Sequence, residues 1–137
     1  EEERFHFAHG EGWTARLAST EDGRRRLAAA FPPAWESCLR WFGREEDPVN
    51  GPLVEAGIVD AGPDELRRRW LRRVGPVVEG AGLGLAEPGD GEEWTTSTAP
   101  DWEGWRPEAR RPGGAPGPDA RTVERVRGDR NRSLLMD

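Results

Sequence analysis

The stretch EEERFHFAHGEGW, residues 1–13, places an acid and an imidazole three positions apart in a helical pattern. Glu3 and His6 share one face of such a helix, because residues three apart are neighbours on its surface. Followed onward through Trp13 to Leu17, this face reads as an apolar stripe directed toward a core. An acid and an imidazole are costly to bury unless partner groups satisfy them. The stretch therefore predicts a helix that carries a polar pair on its inward face.

The same spacing allows a metal-binding interpretation of the pair. Carboxylate-bridged di-iron bundles take a Glu-x-x-His pair from each of two helices and a single Glu from each of two others. The only histidines are His6 and His9, so a second pair cannot form within this sequence. Glu3 and His6 are therefore candidate ligands for at most half of a metal site. The interpretation we favour is a hydrogen-bonded or ion-paired contact between them.

Composition limits the class of protein. The 137 residues suffice for one small domain. No apolar run is long enough to cross a bilayer and no signal-peptide pattern appears, so we expect a cytoplasmic protein without a membrane partner. A net charge of −6 argues against general nucleic-acid binding. The single cysteine, Cys38, excludes an intrachain disulfide or a cysteine-based zinc site, and we expect it to be buried.

Helical spacing of apolar residues predicts three helices, over residues 1–18, 19–42 and 63–79, and a short helical segment over 53–57. The run Ser19-Thr20-Glu21-Asp22 offers an N-cap and an acidic first turn to the second helix. Interior prolines predict a kink or break in the second and third helices, since each removes a backbone hydrogen bond. No strand-like alternation of any length appears. The fold class predicted for the ordered part is therefore all-α.

The character of the sequence changes after residue 82. Residues 82–137 contain 9 glycines and 6 prolines in 56 positions, and sustained periodicity is lost. Such a composition is typical of extended or disordered chain. We therefore predict a helical region over residues 1–88 and an irregular, disordered tail over 89–137.

The large aromatic side chains and the arginine runs are expected to have structural roles. Trp13, Trp35 and Trp70 lie within the predicted helices and are expected to anchor a core or an interface. The arginine runs at 67–69 and 72–73 are expected to form a solvated helix face. A surface for an anionic ligand is the alternative for these arginines.

The order of several residues resembles a known family over residues 1–88. The resemblance rests on Glu2, Phe5-His6, Gly12-Trp13, Arg16-Leu17, Trp35, Phe42, the run from Leu53 to Ile58, Leu66-Arg67, Trp70, Val74 and Ala81-Gly82-Leu83. These segments resemble the later portion of the non-catalytic, ferritin-like subunit of the bacterial multicomponent phenylacetyl-CoA epoxidase. From Trp94 to Asp137 the sequence departs from the pattern of that family.

The resemblance implies a partial ferritin-like bundle and a structural role in aerobic phenylacetate catabolism. A related ferritin-like catalytic subunit would hold the di-iron centre, and a separate reductase subunit would supply electrons. This chain would then be a non-catalytic component of the monooxygenase complex, with no catalytic residue and no cofactor of its own. Glu3 and His6 would be vestiges of a shared ancestral metal site.

Two other functions stay open at this point. The chain could be part of a di-iron oxygenase with its own metal site, if other helices supplied the remaining ligands. It could also be a small helical interaction protein unrelated to aromatic catabolism, in which the Glu-x-x-His spacing is accidental.

Overall fold

A computed structural model describes residues 2–106, 111–112 and 120–127. Along these residues the chain forms α1 (Glu2–Ala18), α2 (Glu21–Trp41), α3 (Asn50–Glu55), α4 (Pro63–Gly80), β1 (Ala86–Pro88), β2 (Trp94–Thr96), β3 (Trp105–Arg106), β4 (Arg111–Pro112) and α5 (Ala120–Arg127). The three long helices and the short α3 match the predicted helices to within a few residues. Helices α1 and α2 pack against each other, and α4 packs against both α1 and the β1–β2 hairpin.

The junction between α1 and α2 follows from two residues. Thr20 has an extended backbone and its Oγ1 accepts a hydrogen bond from the Gly23 N–H at 3.1 Å, which confirms the predicted N-cap. Gly23 is buried against the end of α1, where any Cβ would overlap the Leu17 carbonyl. The sharp reversal that brings the two helices together therefore depends on a cap and on a missing side chain.

Neither helix breaks at its interior prolines, since α2 is continuous through Pro32 and Pro33 and α4 is continuous through Pro76. The predicted kink at these positions stays a prediction. All three prolines are exposed. The carbonyls that lose a helical donor there can be hydrated, and packing of the opposite helix face holds the axis together.

The core lies between α2, α4 and the hairpin. Its buried members are Trp35, Leu39, Leu71, Val78 and Ala86, with Phe31, Trp70, Val74, Leu83, Leu85 and Trp94 packed around them. Leu39 and Val78 are completely inaccessible to solvent. Most of these residues come from the predicted helices, but Ala86 and Trp94 come from the strands that follow them.

Those strands correct the all-α prediction. Strands β1 and β2 pair antiparallel, with Ala86 opposite Thr96 and Pro88 opposite Trp94. The hairpin crosses the boundary predicted at residue 88, so part of the predicted irregular tail is ordered. A second antiparallel pair joins β3 to β4. Three-residue strands are too short to show alternation, whereas Asp90-Gly91 in the turn is a recognised hairpin signal.

The structure describes only part of the remaining predicted tail. Helix α5 lies within the predicted irregular tail, so this part of the tail is helical. Residues 107–110, 113–119 and 128–137 lie outside the described part of the chain.

The hairpin is held on the helices by three contacts. Trp94 covers Gly75 of α4 so closely that a Cβ at Gly75 would overlap the indole ring. The Trp35 indole N–H donates to Thr96 Oγ1 at 3.1 Å. Arg72 Nη1 forms an ion pair with Glu93 Oε1 at 2.7 Å. The hairpin therefore completes the core of the helical region.

Arg67 joins the end of α2 to α4. Its guanidinium is largely buried, donates to the Leu39 carbonyl at 3.1 Å and also bonds the Gly43 carbonyl and Asp64. Carbonyls at a helix C-terminus lack intrahelical donors, and a cation there is favoured by the helix dipole. The expectation that Arg67 lies on a solvated helix face is therefore wrong.

We predict that Gly75→Ala destabilises the protein by about 1–3 kcal/mol, because the new methyl group must displace the Trp94 ring. Gly80→Ala is the matched control, since a Cβ at Gly80 meets no atom within 4 Å. Alanine is the better helix former there, so this control should leave stability unchanged or raise it slightly. Urea unfolding of both variants tests the packing, and equal losses would contradict it.

Candidate functional site

An apolar groove opens between α1, α2 and α4. Its volume is about 330 Å³, and it is lined by His6, Phe7, Gly10, Glu11, Thr14, Phe31, Ala34, Trp35, Cys38, Trp70, Val74, Val77 and Val78. Hydrophobic and aromatic side chains make up most of the wall, and the few polar groups come mainly from α1. The sequence predicted the helices but did not indicate this groove, because it depends on how the three helices cross.

Aromatic rings pack against one another at tilted angles on one side of the groove. The Trp35 and Trp70 ring centroids are 4.8 Å apart, and Phe42 adds a third ring 6.0 Å from Trp70. On the other side, the Arg73 guanidinium carbon lies 4.1 Å from the Phe7 ring centroid, which ties α4 to α1 by a cation–π contact. Contacts within the chain therefore form both walls of the groove without a bound partner.

The structure corrects the predicted orientation of α1. Thr14 is its buried residue, with Phe7, Leu17 and Ala18 half-buried beside it. The packed face therefore lies about one residue around the helix from the predicted stripe. The shift arises because α1 packs through side chains that differ in size and polarity. Trp13, the largest apolar side chain of the helix, instead points outward.

Glu3 and His6 lie near the N-terminal end of α1, in contact with solvent. Their side chains are 92% and 66% exposed, and His6 Nδ1 lies 3.7 Å from Glu3 Oε2. The expected inward burial of this pair is therefore wrong. His6 nevertheless contributes to the rim of the groove.

Glu3 and His6 do not by themselves form a carboxylate-bridged di-iron centre, and their assignment as vestigial ligands stays a prediction. Such a centre takes inward-facing ligands from four helices, whereas these two exposed side chains belong to one helix. Within the described part of the chain, no group of three or more His, Cys, Asp or Glu side chains is arranged to hold a metal ion.

The three tryptophans assigned as anchors occupy different environments. Trp35 is 6% exposed in the core, and Trp70 is half-buried against it while also lining the groove. Trp13 is half exposed and does not belong to the core. Its role as an interface anchor stays a prediction.

Cys38 lies on the groove wall and not inside the core. The residue as a whole is exposed, so the prediction of a buried cysteine is wrong. Its sulfur nevertheless borders apolar side chains, and this partial burial raises the pKa of the Cys38 thiol.

Three arginines of α4, Arg68, Arg69 and Arg72, are paired with acids. Glu65 accepts from Arg68 and Arg69, and these hydrogen bonds hold the pKa of Glu65 below its usual value. Arg69 also bonds Asp60, and Arg72 reaches both Glu65 and Glu93. The pairing favours the expected solvated helix face for Arg68 and Arg69 over an anion-binding surface.

Comparison with known families identifies this helical scaffold. Residues 1–98 match the family described as phenylacetic acid catabolic protein. The chain belongs to this family. Neither a curated protein nor a solved structure matches it.

Family membership connects the fold to a metabolic process. The family acts in phenylacetic acid catabolism, which confirms the process implied by the sequence resemblance. The match also extends to residue 98, ten residues beyond the segment on which that resemblance rests, and therefore includes the hairpin. Among the described residues, no helix has the length and apolar character needed to cross a membrane.

We predict that Cys38 reacts more slowly with iodoacetamide near neutral pH than a free cysteine does. Burial raises the pKa of the thiol, so the fraction of reactive thiolate is reduced below that pKa. The rate should increase as pH rises, and unfolding in urea should increase it at constant pH. Mass spectrometry of the alkylated chain measures both effects. Equal rates in folded and unfolded protein would show that the groove does not desolvate the sulfur.

Proposed function

We propose that this chain is a structural, non-catalytic subunit of a phenylacetyl-CoA epoxidase complex, and that its groove receives an apolar helix of the related catalytic subunit. The proposal joins family membership to the groove, which is the observation that carries it. A di-iron centre in that ferritin-like partner would activate dioxygen, and a reductase subunit would supply the electrons.

The groove has the chemistry of a helix-binding surface. Phe31, Ala34, Trp35 and Cys38 recur along α2 at helical spacing, and Trp70, Val74 and Val77 do so along α4. A helix that enters between two such rows can bury residues of its own at i, i+3, i+4 and i+7. Apolar area removed from water contributes about 25 cal/mol per Å² before the costs of association.

The placement of Glu3 and His6 favours a scaffold over an oxygenase. Dioxygen activation at a carboxylate-bridged centre requires two irons held in a bundle interior. These side chains instead contact each other at 3.7 Å in a solvent-exposed position. The alternative of a di-iron oxygenase would require the pair to turn inward and other helices to supply the remaining ligands. The alternative of a protein unrelated to aromatic catabolism disagrees with the family match.

We predict that Ala34→Glu prevents association with the catalytic subunit, because it places a charge in the apolar groove. Ala34 is exposed in the isolated chain, so the variant should fold normally. Ala29→Glu is the matched control, since Ala29 is also exposed on α2 but does not line the groove. Co-purification with the catalytic subunit should lose the first variant and retain the second. Equal retention would place the partner elsewhere.

We also predict that His6→Ala leaves the rate of epoxide formation per assembled complex nearly unchanged. His6 is exposed and contacts Glu3 only weakly, so its removal should alter assembly or stability at most. Metal analysis of the purified chain alone should find no stoichiometric iron. If turnover falls sharply in a complex that remains intact, His6 takes part in the chemistry and the scaffold assignment fails.

A further inference from the structure

A second surface lies on α1, on the side opposite the groove. Glu2, Phe5, His9, Trp13 and Arg16 fall within about 80° of one another around the helix, at about 100° per residue. We name these five residues the α1 stripe. All of them are exposed, and the stripe lies opposite Phe7 and Thr14, which carry the packed face.

Trp13, the largest side chain of the α1 stripe, contacts two other residues of the stripe. Trp13 lies between His9, with ring centroids 6.2 Å apart, and Arg16, whose guanidinium carbon is 5.7 Å from the indole centroid. Phe5, one turn before His9, is 76% exposed. Tryptophan and arginine are among the residues enriched where a few side chains dominate the binding energy of an interface.

The order of residues in the stripe is self-complementary. If two α1 helices pack antiparallel with His9 opposite itself, each residue i faces residue 18 − i of the other helix. Phe5 then faces Trp13, and Glu2 faces Arg16, twice by symmetry. A two-fold axis through His9 therefore places His9 opposite its own copy, and pairs apolar with apolar and acid with base on both sides of it.

We propose that the α1 stripe binds a second copy of this chain in an antiparallel, two-fold symmetric helix pair. This contact is independent of the groove, which faces the other side of α1. A contact made by one helix of each copy buries less area than a standard interface, so we expect a weak dimer that forms at high micromolar concentration. The charge pairing at both ends fixes its orientation.

Sedimentation equilibrium of the full chain over a range of concentrations tests the self-association. Trp13→Ser should weaken it at least about tenfold, whereas Trp41→Ser, which removes an indole that is 77% exposed on α2, should not. Circular dichroism checks that both variants keep their helices. A chain that stays monomeric up to millimolar concentration overturns the proposal, as does equal weakening by the two variants.

Charge reversal tests the antiparallel register. Glu2→Arg and Arg16→Glu should each weaken the dimer about threefold to tenfold, by placing like charges opposite each other twice. The double variant Glu2→Arg/Arg16→Glu exchanges the charges and should restore association. Failure of the double variant to recover would overturn the register, and loss of the dimer in Ala34→Glu would assign the contact to the groove instead.

A cross-link tests the position of the symmetry axis. At an interaxial distance of 8–10 Å, the two Cα atoms at position 9 come within about 5 Å, which suits a disulfide. In a Cys38→Ser background, His9→Cys should oxidise to a covalent dimer and Ala8→Cys should not. Cross-linking through both positions, or through Ala8→Cys alone, contradicts an axis at His9.

Discussion

The fold depends on the contact that Trp35 makes with α4 and the hairpin at the same time. Its ring packs at a tilted angle against Trp70, and its indole N–H donates to Thr96 in β2. A buried tryptophan requires both an apolar surface and a hydrogen-bond acceptor, and here the two requirements are met by different elements. Helices α2 and α4 provide the surface, whereas the acceptor comes from the hairpin. The hairpin therefore belongs to the core, although it follows the last long helix in sequence.

This arrangement explains why the groove stays open. The inner residues of α2 and α4 pack against the hairpin. Helix α1 contacts both helices through one partly buried face. Between α1 and the Trp35–Trp70 pair, the apolar wall of the groove therefore remains in contact with solvent. A surface of this kind is uncommon in monomeric proteins unless it serves binding. Membership of the phenylacetic acid catabolic protein family connects the chain that carries this surface to phenylacetic acid catabolism.

The two faces of α1 have different chemistry. One face packs against α2 and α4, and the other is exposed to solvent. Its packed face uses Phe7, Thr14 and Leu17, so α1 can approach α2 closely. Its outer face carries Phe5 and Trp13 between an acidic start and a basic end. A helix with aromatic residues on the side away from its own core can contact two partners at once, one through the groove and one through the α1 stripe.

The sequence by itself determined the helices, the Thr20 cap and the family, because helical periodicity, capping and residue order are local properties. It also indicated Trp35 and Trp70 as anchors, since large aromatic residues on a helical stripe have few stable positions outside a core. The orientation of α1 could not be predicted, because Trp13 gives the wrong face the stronger apolar pattern. Only the tertiary structure placed Glu3 and His6 in solvent, Cys38 on the groove wall and Trp94 against Gly75. Each of these depends on contacts between residues far apart in the chain, where helix crossing and the missing Cβ of one glycine decide which side chains meet.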